Sequence, residues 1–229
     1  MIKGVILDLD GTLYDYESVN KMVLEDLYTY ASNLLGISGK EFKHAYLWGR
    51  DETKKIISNC ASVHNRLLYC QHALELLNIN SMKYSYNLYN FYWDKFIDKI
   101  ELYSGVEEFF QRLKNNGIII SICTDMTAEI QHRKIQKLGV EEYIDFIVSS
   151  EEAGQEKPSE VMFDLCLKKM KLNKSDVIML GDSYKKDVCG ALNYGIKAAL
   201  CDIYNQHNCS DCLVYNNYVD GVIDNICML

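Results

Sequence analysis

The stretch K-G-V-I-L-D-L-D-G-T-L-Y-D, residues 3–15, decides how the rest of the chain is read. Residues 4–7 form a short apolar run with β-branched residues at its centre, which predicts a strand buried on both faces of a parallel sheet. The run stops at Asp8, and a second carboxylate, Asp10, follows before Gly11 permits a turn. Two ionised carboxylates at the mouth of a buried strand repel each other and lose hydration, so they persist where a cation or reaction chemistry compensates them. Such a pair suits a hard ion such as Mg2+, and open α/β sheets bind ligands at the carboxyl ends of their strands. Taken alone, D-x-D-G can also be read as an exposed turn, because Asp and Gly dominate turns. The remainder of the chain decides between the two.

Beyond Asp15 the pattern turns helical. Residues 18–35 carry Val19, Met22, Val23, Leu27 and Leu34 at helical spacing and stop at Gly36; Ser38 with Glu41 is a capping box opening a helix to about residue 58. Two further candidates cover 63–77 and 82–100, so residues 15–103 are predicted to be an all-helical insert, with hinges at 14–18 and 102–105. The last of these helices holds Tyr84, Tyr86, Tyr89, Phe91, Tyr92, Trp93 and Phe96, a stripe better read as packing than as a ligand box. Arg50, on the second helix, is the candidate for contacting a substrate's remote end.

From residue 104 the pattern alternates. Ser104 and Glu107 form a capping box for a helix ending at Asn116-Gly117, and 118–123 is a second buried strand. Thr127 caps a helix ending at Leu138-Gly139, 146–149 is a strand, and Pro158 opens a helix through Met170. Strand 177–180, helix 186–194 and strand 197–200 complete the series. Strand and helix in repeated alternation mark a parallel sheet wrapped by crossovers. The fold class is therefore α/β: a Rossmann-like parallel sheet sandwiched by helices, from residues 1–14 and 104–229, with the helical insert as a second domain.

With 229 residues, 48% apolar and 24% charged, the composition is that of a soluble globular protein. No apolar run reaches membrane-spanning length, and Met1 leads directly into the first strand, so the expectation is a cytoplasmic protein with no membrane partner. A net charge of -8 argues against a nucleic-acid partner, so an anionic substrate must be drawn in by a local cation. The nine cysteines read as reduced thiols. One grouping, Cys201, His207, Cys209 and Cys212, is weighed as a zinc site against free thiols in a late loop, and its malformed second half favours the thiols. Monomer and homodimer both stay open.

The predicted strand ends gather chemistry along one sheet edge. The first supplies Asp8 and Asp10; the second closes on Thr124 and Asp125, a hydroxyl and main-chain N–H groups suited to an oxyanion. Lys157 follows the third, and the fourth ends in G-D-S-Y-K-K-D with Asp182, Ser183 and Asp187. Singly these are turn formers and surface charges; together, three strand-end carboxylates, a hydroxyl and a lysine make a metal-assisted phosphate site.

Here the sequence resembles the haloacid-dehalogenase-like superfamily, over residues 3–200. The resemblance rests on D-L-D-G-T-L at 8–13, the strand closing on Thr124, Lys157-Pro158, and G-D-S-Y-K-K-D at 181–187. The helical insert resembles the cap that some members carry between the first and second motifs, and residues 124–170 look like small-metabolite phosphatases of the nucleotidase and acylneuraminate-phosphatase type. Asp125-Met126 departs from the Asn-Gly pair of many relatives.

The resemblance implies a Mg2+-dependent phosphatase acting on a small phosphorylated metabolite, a nucleoside monophosphate or a sugar phosphate. Asp8 would attack phosphorus and carry an aspartyl-phosphate, with Asp10 as acid and then base. Mg2+ would be held by Asp8, the backbone carbonyl of Asp10 and Asp182; Thr124, Asp125 and Lys157 would bind the phosphate; Asp187 and Ser183 would stand behind them. Two alternatives are a phosphomutase or phosphotransferase on the same core, and a non-catalytic phosphate-binding regulatory protein. A dehalogenase needs neither the metal nor the acid at Asp10.

Overall fold

The computed structural model describes residues 2–204 and 212–218. The chain divides into two compact units, one of residues 1–15 with 101–229 and one of residues 16–100. Asp15 and residues 101–103, expected in the insert, belong to the first unit. Tyr14 bridges to Leu102, and the Tyr103 N–H donates to the Leu13 carbonyl at 2.9 Å, so main-chain pairing holds both ends to the sheet unit.

In the sheet unit the strands are β1 (Gly4–Leu7), β2 (Ile119–Thr124), β3 (Phe146–Ser149), β4 (Val177–Gly181), β5 (Lys197–Cys201) and β6 (Leu213–Tyr215). They form one sheet in the order β3-β2-β1-β4-β5-β6, every neighbouring pair parallel. Ile6, Cys123, Val148, Met179 and Leu200 share one buried cluster. Their alternates Val5, Leu7, Ile120, Ile122, Ile178 and Leu180 are equally buried, so both sheet faces are covered. This is why the strands read as continuous apolar runs. The edge strand β6, Leu-Val-Tyr, is apolar but only three residues long, too short to stand out in the sequence.

The helices of the second unit are α1 (Tyr16–Leu35), α2 (Gly39–Ile56), α3 (Arg66–Leu76) and α4 (Ser81–Lys99). The sheet unit follows with α5 (Val106–Asn115), α6 (Ala128–Leu138), the short α7 (Ser150–Ala153), α8 (Glu160–Met170) and α9 (Cys189–Tyr194). In the helical unit α1 and α3 each pack against both α2 and α4. Of the aromatic stripe on α4, Tyr92, Trp93 and Phe96 are buried and pack on one another, while Tyr86 is exposed.

Three helix starts differ from expectation. Ser104 caps nothing: α5 begins after Gly105, without a side-chain hydrogen bond. Pro158 lies outside α8, whose first turn is capped by the Ser159 hydroxyl accepting the Val161 N–H at 3.4 Å. At α6 the Thr127 side chain makes no cap, and the Glu151 carboxylate accepts the Ala128 N–H at 2.8 Å instead. Among the described residues no helix is long and apolar enough to cross a membrane.

Candidate active site

Parallel pairing brings the carboxyl ends of β1, β2 and β4 level: Leu7 is in register with Ile122 and Leu180, and the Asp8 N–H continues the ladder to the Leu180 carbonyl at 2.9 Å. The chain must then turn sharply. Gly11 does so at φ 86°, where a Cβ would run into the Asp182 carboxylate. The turn places the Thr12 hydroxyl 3.2 Å from Asp8 Oδ2 and 3.3 Å from Asp182 Oδ1, with the Asp182 N–H donating to it at 3.0 Å. Gly181 has a matching reason to lack a side chain, because a Cβ there would strike the Asp187 carboxylate.

Lys157 binds this group together. Only 4% exposed, its Nζ donates to Asp8 Oδ1 at 2.5 Å and to Asp187 Oδ1 at 2.7 Å. Asp187, on a π-helical turn (Tyr184–Val188), also accepts the Ser183 N–H at 3.0 Å. The carboxylates of Asp8, Asp182 and Asp187 each offer an oxygen within 4.8 Å of the others. Burial pushes the Asp8 carboxyl well above its ordinary range; the Lys157 ammonium opposes this, and Asp187 and Asp182 reinforce it. Asp182 is pushed up to about 6, by burial and then by the charge on Asp187. Three carboxylates joined to one ammonium leave two negative charges in a partly desolvated space, the complement of one divalent cation.

Asp10 faces elsewhere. Its two carboxylate oxygens lie 2.7 and 2.8 Å from Lys134 Nζ on α6, Gln131 Nε2 donates to it at 3.2 Å, and the Tyr14 hydroxyl completes the set. Burial alone would raise its pKa, but the Lys134 charge and the hydrogen bonds from Lys134, Tyr14 and Gln131 outweigh it and hold the group below the usual range. Gln131 Nε2 also reaches the Asp125 carbonyl at 2.9 Å and the Thr124 hydroxyl, so α6 ties Asp10 to the end of β2.

Asp8, Lys157, Asp182, Ser183 and Asp187 are thus brought together, with Asp10, Thr124 and Asp125 linked through Gln131. Asp187, expected to orient Lys157 or the metal's waters, accepts a hydrogen bond from Lys157 Nζ at 2.7 Å and also has an oxygen within the acid cluster. The Asp125 carboxylate accepts the Lys157 main-chain N–H at 3.0 Å and Lys186 Nζ at 2.7 Å, so Asp125 has only the expected main-chain N–H to offer an oxyanion. A carboxylate only accepts, so this side chain repels an oxyanion. The Asp10 carboxylate also lies outside the acid cluster, which leaves only its backbone carbonyl for an ion. Arg50 belongs to the helical unit and pairs with its neighbour Asp51 at 3.0 Å. Of the cysteine grouping, His207 and Cys209 lie outside the described residues.

Thr12, Gln131 and Lys134 are the site residues that sequence reasoning misses. Thr12 sits inside the quoted motif. Gln131 and Lys134 occupy the buried face of α6 with Ile130, Ile135 and Leu138, where the helical period calls for apolar side chains. Two polar residues interrupting an apolar stripe are the signal that could have found them.

The family model described as haloacid dehalogenase-like hydrolase matches residues 2–195. A ribulose-1,5-bisphosphate 5-phosphatase of Halopiger xanaduensis is 33% identical over 88% of this chain and 85% of its own. A glyceraldehyde 3-phosphate phosphatase of Methanothermobacter thermautotrophicus is 25% identical over 100% of this chain and 98% of its own. The crystal structure of a HAD phosphatase from Thermococcus onnurineus shares the fold, with TM-score 0.72 and 19% identity over 95% of this chain and 94% of that one. The chain belongs to the haloacid dehalogenase-like hydrolases.

Proposed function

We propose that this protein hydrolyses a small phosphate monoester through an aspartyl-phosphate on Asp8, with Mg2+ as cofactor. The observation that carries the reading is the cluster of Asp8, Asp182 and Asp187, the first and last of them buried and paired with Lys157. The donor set fits the metal: all-oxygen ligands from Asp8, Asp182 and Asp187, joined by the Asp10 backbone carbonyl, suit a hard cation, and the surplus negative charge equals that of one divalent ion. When bound, the ion supplies positive charge to the phosphoryl oxygens. Names of relatives, ribulose-1,5-bisphosphate 5-phosphatase and glyceraldehyde 3-phosphate phosphatase, favour a sugar phosphate over a nucleoside monophosphate. The helical unit is assigned as the inserted cap by its place in the chain, between β1 and β2.

In the first step an Asp8 carboxylate oxygen forms a bond to phosphorus while the bond to the leaving alkoxide oxygen breaks, and Asp10 delivers a proton to that oxygen. In the second, water attacks phosphorus, Asp10 takes its proton, and the acyl-phosphate bond breaks to restore the Asp8 carboxylate. Lys157 and the Thr124 hydroxyl, both almost wholly buried, face developing charge on the non-bridging oxygens without the cost of reorganising water.

The test is phosphate release from p-nitrophenyl phosphate and from a panel of sugar phosphates, with Mg2+ or with excess chelator. Turnover that chelator abolishes and Asp8→Asn removes is the expected result. Undiminished release in chelator, or from Asp8→Asn, overturns the reading.

A further inference from the structure

Lys134 is a lysine with no exposed surface, and a charge so placed requires explanation. Its ammonium spans both oxygens of Asp10, at 2.7 and 2.8 Å. The Met126 sulfur lies 3.8 Å from the same nitrogen. A purely structural need would not favour this arrangement, because replacing a buried ion pair by apolar groups of similar volume is often neutral or stabilising. The charge pair also sits beside chemistry. Asp10 lies two residues from Asp8, and its carboxylate is linked through Gln131 to the Thr124 hydroxyl at the end of β2.

Resting on the phosphatase reading above, we infer that Lys134 is a positioning residue for Asp10, assisted by Gln131. It fixes the orientation of the carboxylate that exchanges the proton with the leaving group and the water. Both residues project from the same face of α6, one turn apart. Lys134 grips Asp10 by charge; Gln131 shares its amide between Asp10, the Thr124 hydroxyl and the Asp125 carbonyl. The proton carrier and the phosphate-facing hydroxyl are therefore set by one helix. Lys134 keeps its own proton throughout; only Asp10 gains and loses one.

A positioning role predicts dependence on the leaving group. An alkoxide needs protonation as its bond to phosphorus breaks, whereas p-nitrophenolate leaves unaided. Lys134→Met should lower kcat/KM for an alkyl phosphate by about 10²-fold, within the range of a positioned acid, and for p-nitrophenyl phosphate by less than about 10-fold. In an Asp10→Asn background the same substitution should change either rate by less than about 3-fold, since the group it positions is gone. That double variant removes both charges together and so strands neither.

Should Lys134→Met fail to fold, Gln131→Met decides. It strands no charge and should show the same bias toward the alkyl ester, at roughly one tenth the size. Equal losses on the two esters, or a loss in the Asp10→Asn background as large as in the parent, overturn the inference while leaving the phosphatase reading intact. A parent chain with no Mg2+-dependent turnover of either ester refutes the phosphatase reading itself.

Discussion

Without a bound cation the acid cluster should weaken the fold, and the effect should depend on pH in a defined direction. Asp182 is pushed from 3.8 to about 6, by burial and by the charge on Asp187, and Asp8 is raised in the same sense. A carboxyl whose pKa is higher folded than unfolded binds more protons in the folded chain, so stability falls as pH rises through the window between the two values. For Asp182 that window runs from about 4 to about 6, and two units correspond to about 3 kcal/mol. Divalent binding requires the ionised form and acts in the opposite direction. At about 100 times its Kd it adds ~2.7 kcal/mol. For a unit of this size that is a rise in Tm of about 5–10 °C.

Thermal melts in chelator and in Mg2+, at pH 5.5 and pH 8, measure both effects. The Mg2+ shift should be full at pH 8 and shrink severalfold at pH 5.5. Asp182→Asn, which keeps an acceptor for the Thr12 hydroxyl but removes the charge, should melt higher than the parent in chelator at pH 8. A lower melting point for Asp182→Asn there, or a Mg2+ shift independent of pH, would refute the electrostatic account.

Other perturbations separate the parts. Lys157→Met leaves Asp8 and Asp187 facing each other without their shared ammonium and should cost about 3–5 kcal/mol in chelator, read by denaturant unfolding. Gly11→Ala forces φ 86° on a residue with a Cβ and drives that carbon onto the Asp182 carboxylate, so it should cost about 1–3 kcal/mol and abolish the Mg2+ shift. In the helical unit Arg66 is 7% exposed and held by the His64 carbonyl at 2.6 Å, the Tyr16 hydroxyl and the rings of Tyr69, Tyr92 and Trp93. Arg66→Met should cost about 2 kcal/mol of helical-unit stability, by circular dichroism, and leave the Mg2+ shift of the sheet unit unchanged.

What the chain reveals before it folds follows from range. The strands β1 to β5 are legible because burial on both faces writes itself as local apolar runs, and the strand-end acids are legible because parallel pairing must align them. Lys134 is not, since its reason for being buried stands 124 positions away at Asp10. Along the sequence it shows only as a polar residue in the apolar stripe of α6, with nothing to say what it pairs with. The place of Asp187 is set by the wide turn over Tyr184–Val188, which no local pattern announces. Pro158 and Ser104 mislead because an adjacent residue, Ser159 or Gly105, takes the helix-start position instead.

The pairing of Tyr14 with Leu102 bears on how such a protein can diversify. Chain departing at Tyr16 and returning at Ile100 begins and ends beside a fixed pair of backbone segments, so to the sheet unit the whole excursion is one loop closed at its base. Closure entropy grows only as the logarithm of loop length, so a longer, shorter or unrelated excursion changes little for the base. A helical module of another length or sequence can therefore be joined between Asp15 and Glu101 without disturbing the backbone pairing at its base.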